Sequence, residues 1–196
     1  FVVALDRATG QERWRRPRAI ADRAKNRYAL STPTLIEVNG RRQLITVGTH
    51  IVQSLHPEDG SEIWRIAHRN YCAVPRPVFA DGLVFFTTGF EHPSLCAINP
   101  NAGGELTDDD LEWEIHKNVP LTSSPVVVDG DLYMVSDTGT VTCLESKTGT
   151  VRWSERLAKA TSASPLYADG KIYIQDEYGT GYVIKPGRKL QLLATN

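Results

Sequence analysis

Seven side chains in this 196-residue sequence combine reactive chemistry with short loop settings: His50, Glu91, His92, Asp137, Asp176, Glu177 and Tyr178. They fall in the segments "GTH", "GFEHPS", "SDTG" and "DEYG", and Arg76 lies beside them with Ser31, Ser123, Ser124, Ser162 and Ser164. Carboxylates drawn from several such loops can coordinate a hard cation such as Ca2+, and one of them can serve as general base toward an alcohol. The plainer reading is that short loops are polar because they face water. No G-x-S-x-G, phosphate-binding P-loop or H-E-x-x-H is present, so the sequence offers no signature of an activated serine, a phosphate cradle or a zinc hydrolase.

Composition sets broad limits. A formal net charge of −1 exerts no general pull toward nucleic acid or anionic membrane, and no apolar run reaches the length of about 18 residues expected of a spanning helix. The stretch "RWRRPRAIADRAKNR" concentrates Arg13, Arg15, Arg16, Arg18, Arg23, Lys25 and Arg27, but Glu12 and Asp22 dilute it, and it reads as a solvated connection. A turn or two of helix is expected within 18–28. Cys72, Cys96 and Cys143 are too scattered for a metal motif; they read as small strand residues, with one disulfide pair left open. "ELTDDDLEWE" is acidic but lacks an EF-hand's glycine and closing glutamate, so it reads as a solvated insert with no metal assigned.

The elements that must position the loop residues follow from internal repetition. Blocks from Ser31 to Trp64, Arg76 to Trp113, Ser124 to Trp153 and Ser164 to Leu193 share landmarks in the same order. Pro33, Pro77, Pro125 and Pro165 stand 44, 48 and 40 residues apart, each followed by an Asn-Gly or Asp-Gly pair ending at Gly40, Gly82, Gly130 or Gly170. Within each block lie short runs rich in Val, Ile, Tyr and Trp, parted by turn signals, which predict four antiparallel strands per repeat. Repeats of this length and content predict an all-β fold, a β-propeller of four-stranded blades. Residues 1–16 supply half a blade, followed by blades at about 31–66, 76–116, 124–156 and 164–193, in a single partial propeller spanning 1–196. Because the chain opens in mid-strand at "FVVALD", it reads as a piece of a longer protein. As an arc of four and a half blades it is expected to expose apolar end faces through which copies self-associate.

The phrase A-x-D-x-x-T-G-x-x-x-W, complete in Ala4, Asp6, Thr9, Gly10 and Trp14, resembles the tryptophan-docking motif of quinoprotein alcohol dehydrogenase-like propellers. Thr148, Gly149 and Trp153 keep its second half, Gly60 and Trp64 its glycine and tryptophan, and the third copy keeps Ala97 and Gly104 with Trp113 displaced by the acidic insert. The last copy has no tryptophan. The resemblance is to bacterial PQQ-binding-like repeat proteins, some of which carry a polyvinyl-alcohol dehydrogenase label. It implies a ring of seven or eight blades and a periplasmic or secreted location. It also implies that Trp14, Trp64, Trp113 and Trp153 dock between blades, with Gly10, Gly60 and Gly149 in the receiving turns. For function it implies either a scaffold that binds a protein or small ligand, as in cofactor-free propellers of outer-membrane assembly, or part of a PQQ- and Ca2+-dependent alcohol dehydrogenase. The adjacent cysteines common in the dehydrogenases are absent from this sequence.

Overall fold

The computed structural model describes residues 1–18 and 28–196. The expected helix at 18–28 falls almost wholly outside the described residues. Strands β1 (Val2–Leu5) and β2 (Glu12–Arg16) form the half blade. The first blade holds β3 (Thr34–Val38), β4 (Arg41–Gly48), β5 (Ile51–Leu55) and β6 (Glu62–Ala67). β7 (Val78–Ala80), β8 (Leu83–Thr87) and β9 (Leu95–Ile98) begin the second, which continues after β10 (Gly104–Leu106) with β11 (Leu111–Ile115). The third is β12 (Val126–Val128), β13 (Asp131–Val135), β14 (Thr140–Glu145) and β15 (Val151–Arg156). The fourth is β16 (Leu166–Ala168), β17 (Lys171–Gln175), β18 (Gly181–Lys185) and β19 (Gln191–Thr195). Successive strands within a blade pair antiparallel, and the innermost strand β12 lies against both β7 and β16, the innermost strands of its neighbours, which places them toward the axis.

Each blade begins with a two-residue hairpin in which both residues take positive φ, as at Asp129 (51°) and Gly130 (80°). This conformation matches the twist of the flanking strands and explains the recurrent Asp-Gly pairs. Strand alternation then sends neighbouring side chains to opposite faces. Phe86 packs toward the first blade and Phe85 toward the third; Leu132 and Met134 point back to the second blade while Tyr133 points on to the fourth. The three apolar clusters therefore lie between blades; the second and third blades each contribute to two of them, the first and fourth to one. On the fourth blade Ile172 and Ile174 are buried against the third, whereas Tyr173, Leu166, Leu192 and Leu193 are exposed. The expected apolar end face is present there; self-association is a separate property.

Three of the tryptophans reach across to the next blade. The Trp14 ring lies on Gly60 and its Nε1–H donates to Pro57 O at 3.0 Å. Trp113 lies on Gly149 and donates to Ser146 O at 2.9 Å, and Trp153 donates to Gly187 O at 3.0 Å. Trp113 is displaced only along the chain: it pairs with Ala97 as Trp14 pairs with Ala4. Ala194, opposite Val183, occupies the matching register position in the fourth blade.

One expectation needs correction at the first junction. The insert is not wholly solvated, because its Gly104–Leu106 segment pairs in parallel with β6 as a fifth strand, Leu106 is buried, and Arg65 meets Glu105 at 2.9 Å. Asp108–Asp110 form an exposed 3-10 turn capped by Thr107. At Gly10, expected in a receiving turn, and at Gly104 no atom would lie within 4 Å of a Cβ. Trp64 is fully buried beneath this strap, and its Nε1–H has no hydrogen-bond partner among the described residues.

Candidate functional site

The hairpin tips and the turns preceding each fourth strand meet on one face of the ring. Ser146 Oγ donates to Asp81 Oδ2 at 2.5 Å, and Asn39 Nδ2 donates to Asn101 Oδ1 at 3.0 Å, so this lower face carries structural links between blades. The candidate residues occupy the opposite, upper face, on the loops leading into the innermost strands and the turns between second and third strands.

There three of the carboxylates are engaged by their own blades. Asp137 accepts the Leu121 N–H at 2.7 Å and the Thr122 hydroxyl at 2.8 Å, tying its turn to the lead-in loop. Asp176 accepts N–H groups of Tyr178 (3.0 Å) and Thr180 (2.9 Å) and the Tyr182 hydroxyl (3.3 Å). Burial by itself would raise the Asp176 pKa, but those donors together hold it below the usual carboxylate value. Glu91 accepts the Tyr71 hydroxyl at 3.2 Å. His50 has a φ of 63° and donates its backbone N–H to Asn70 O, while the His92 carbonyl accepts Asn70 Nδ2. Glu177 and Tyr178 are exposed, and the Lys159 ammonium sits 5.1 Å from the centre of the Tyr178 ring.

These residues are thus distributed around the rim. Among the described residues, no three His, Cys, Asp or Glu side chains are placed to share a metal ion. A PQQ site needs a Ca2+ ligand set and a free base, and the oxygens of Asp137 and Asp176 are already engaged by loop donors. The described donors do not fit that group, and no catalytic step is assigned to them.

At the axis, a cavity of about 700 Å³ is lined by the starts of the innermost strands, including Thr32, Arg76, Ser124 and Ser164. Each of these four residues precedes a proline. Arg76 N–H donates to Ser124 Oγ at 2.9 Å, and Ser124 N–H donates to Ser164 Oγ at 2.9 Å, so equivalent positions in successive blades form a ladder. Ser31 adds another link by donating to Pro75 O at 2.8 Å, and Ser123 donates within its blade to Val135 O.

Sequence reasoning missed a second cleft, of about 550 Å³, between the outer parts of the first and second blades. His68, His116, Asp108 and Glu114 line it, with His92 from the predicted set. Ser94 Oγ and His116 Nδ1 are 3.1 Å apart, and His116 Nε2 lies 3.8 Å from Glu114. His68 donates Nε2–H to Gly48 O at 3.0 Å, and burial lowers its pKa to about 4, so it is neutral. These residues sit at strand ends remote in sequence, and no motif announces them. Cys96 and Cys143 are buried strand residues; Cys72 lies outside the strands, and all three are free thiols. In the basic stretch, Arg13 pairs with Asp6 at 2.7 Å and Arg15 with Glu12, while Arg23, Lys25 and Arg27 lie outside the described residues.

Comparison with known proteins agrees with this geometry. The chain is 24% identical over 197 aligned positions to the outer membrane protein assembly factor BamB of Yersinia pestis, covering 88% of this chain and 46% of that protein. It therefore spans about half the length of this curated relative. The crystal structure of BamB from Moraxella catarrhalis superposes with a TM-score of 0.67 at 17% identity, over 99% of this chain and 57% of that one. Quinohemoprotein alcohol dehydrogenase ADHIIG from Pseudomonas putida HK5 gives 0.64 at 16% identity, over 87% and 34% of the two chains. Saccharomyces cerevisiae Sqt1 gives 0.72 at 11% identity, over 98% and 54%. At these identities the structures speak for the propeller fold alone. The sequence profile described as outer membrane protein assembly factor BamB matches residues 1–107 and 91–190, and the chain belongs to this family of PQQ-like repeat β-propellers.

Proposed function

We propose that this propeller is a protein-binding scaffold that works in the periplasm or beyond, in the assembly of outer membrane proteins, as the name of its relative describes for that protein. One observation carries the reading: on the upper face Glu91, Asp137 and Asp176 are satisfied internally, whereas large aromatic side chains at the turn tips are not covered. Phe90 is 50% exposed and braced by Tyr71 at 5.9 Å between ring centres; Tyr178 is 70% exposed beside Lys159. Aromatic anchors held by rigid turns lose little side-chain entropy on docking, which suits recognition of another protein.

Photo-crosslinking in the host cell tests this, with a benzophenone amino acid placed at Phe90, at Tyr178, or at the exposed Lys147 of the lower face in the complete protein. Discrete protein adducts from the first two positions and none from Lys147 are expected. Equal adducts from all three, or none, would overturn the reading. The alternative, a PQQ- and Ca2+-dependent alcohol dehydrogenase, is addressed by titrating PQQ with Ca2+ into the folded complete protein. Stoichiometric saturation there would overturn the scaffold-only reading.

A further inference from the structure

The axial ladder is broken at one position, and the residue that breaks it is charged. Ser124 and Ser164 each use a side-chain oxygen to accept the N–H of the equivalent residue one blade back. The rung from Thr32 would require an oxygen at residue 76, where a guanidinium stands instead. Departures from a repeated structural rule concentrate where function overrides stability. Arg76 is exposed, makes no ion pair among the described residues, and faces a cavity whose described lining contains no acidic residue. The rest of that lining is hydroxyl or apolar, with Val78, Val126 and Leu166 below the mouth.

We propose that Arg76 forms a carboxylate-binding site at the axial mouth, and that its ligand is a carboxylate attached to an apolar body, as at the C-terminus of a peptide ending in a hydrophobic residue. The guanidinium presents a planar fork of donors that a carboxylate meets with two hydrogen bonds. The flanking Thr32, Ser124 and Ser164 supply polar groups around that head. A volume of about 700 Å³ exceeds the need of a lone anion and accommodates the apolar remainder against the strand walls. This inference refines the protein-binding reading; the crosslinks at Phe90 and Tyr178 report on that reading separately, so failure at Arg76 leaves it standing.

The test is fluorescence polarisation of a labelled Leu-Phe dipeptide with a free C-terminal carboxylate, titrated with the complete protein. Its C-terminal amide, unlabelled octanoate as competitor, and the variants Arg76→Ser and Arg76→Lys complete the set. Saturable binding is expected, with affinity reduced about tenfold or more by the amide and by Arg76→Ser, since each removes a charge-assisted pair. Arg76→Lys should be intermediate, because lysine keeps the charge without the fork. Arg76→Ser returns a hydroxyl to the ladder, so its circular dichroism and melting curve should match or exceed wild type, separating lost binding from lost fold. Competition by octanoate would place the source of the carboxylate in acyl chains; failure of octanoate to compete would favour a peptide end. Equal affinity for acid and amide, equal affinity of wild type and Arg76→Ser, or no saturable binding would overturn the proposal.

Discussion

Replacing Gly149 by alanine tests the blade-docking mechanism against an internal control at Gly130. Both glycines hold positive φ, 69° and 80°, so an alanine at either costs about 1 kcal/mol for entering the left-handed region. Their surroundings differ. A Cβ at residue 130 would meet nothing within 4 Å, whereas one at residue 149 would stand 2.8 Å from Cδ2 of the Trp113 ring. Relief requires the indole to lift from its seat, stretching the 2.9 Å bond to Ser146 O and opening the cluster that contains Phe85 and Leu132. Overpacking of this kind adds about 1–3 kcal/mol, so Gly149→Ala should cost roughly 3 kcal/mol in all. Urea titrations followed by circular dichroism would give both differences, and a red shift in tryptophan emission should accompany only Gly149→Ala. In a Trp113→Ala background the excess should vanish, leaving both alanines equally costly. Equal penalties in the native background, or an excess that survives loss of Trp113, would refute the docking argument.

Three further outcomes are expected. His68 is held neutral with its pKa lowered to about 4 from 6.5, so its contribution is complete above pH 6.5 and is lost as pH falls toward 4; the linkage amounts to about 3 kcal/mol. Urea midpoints for wild type and His68→Gln should therefore converge with acidification, and a constant gap would contradict the assignment. Trp64→Phe should be less destabilising than Trp113→Phe by about 1 kcal/mol or more, because the buried Trp64 Nε1–H has no hydrogen-bond partner among the described residues while Trp113 donates to Ser146 O. The reverse order in thermal melts would be inconsistent with the strap at the first junction. Asp137→Ala removes the acceptor for Leu121 N–H and Thr122 Oγ, worth about 2 kcal/mol locally, and should speed Leu121 amide exchange roughly thirtyfold. Unchanged exchange there would show that the lead-in loop is held by other groups.

The blade organisation was legible because its determinants are local and repeated. A positive-φ hairpin needs Asp-Gly or Asn-Gly, the strands need alternating apolar residues, and one tryptophan per repeat fills the gap to the next blade. The strands of each blade begin within the blocks read from proline, glycine and tryptophan landmarks, and the last strand of each runs past the block's end, to Ala67, Ile115, Arg156 and Thr195. The insert misled because parallel pairing of Gly104–Leu106 with β6 is a contact over forty residues, driven by covering Trp64 rather than by any pattern within the insert. The site was less legible. Asp137, Asp176 and Glu91 looked like reactive groups because their types are reactive, yet their hydrogen-bond partners make them loop staples.

Family and architecture follow from the order of residues alone, since spacing and residue type suffice for hairpins, strands and docking motifs whose partners recur at a regular interval. Which polar residues remain available to a ligand does not follow in that way. Availability depends on whether a donor or acceptor finds a mate across a blade junction, and those mates lie 40–65 residues distant, as for Ser124 with Ser164 and Ser146 with Asp81. Only the folded ring brings such pairs within about 3 Å, where a short-range interaction can either consume a side chain, as at Asp81, or leave one facing the axis, as at Arg76.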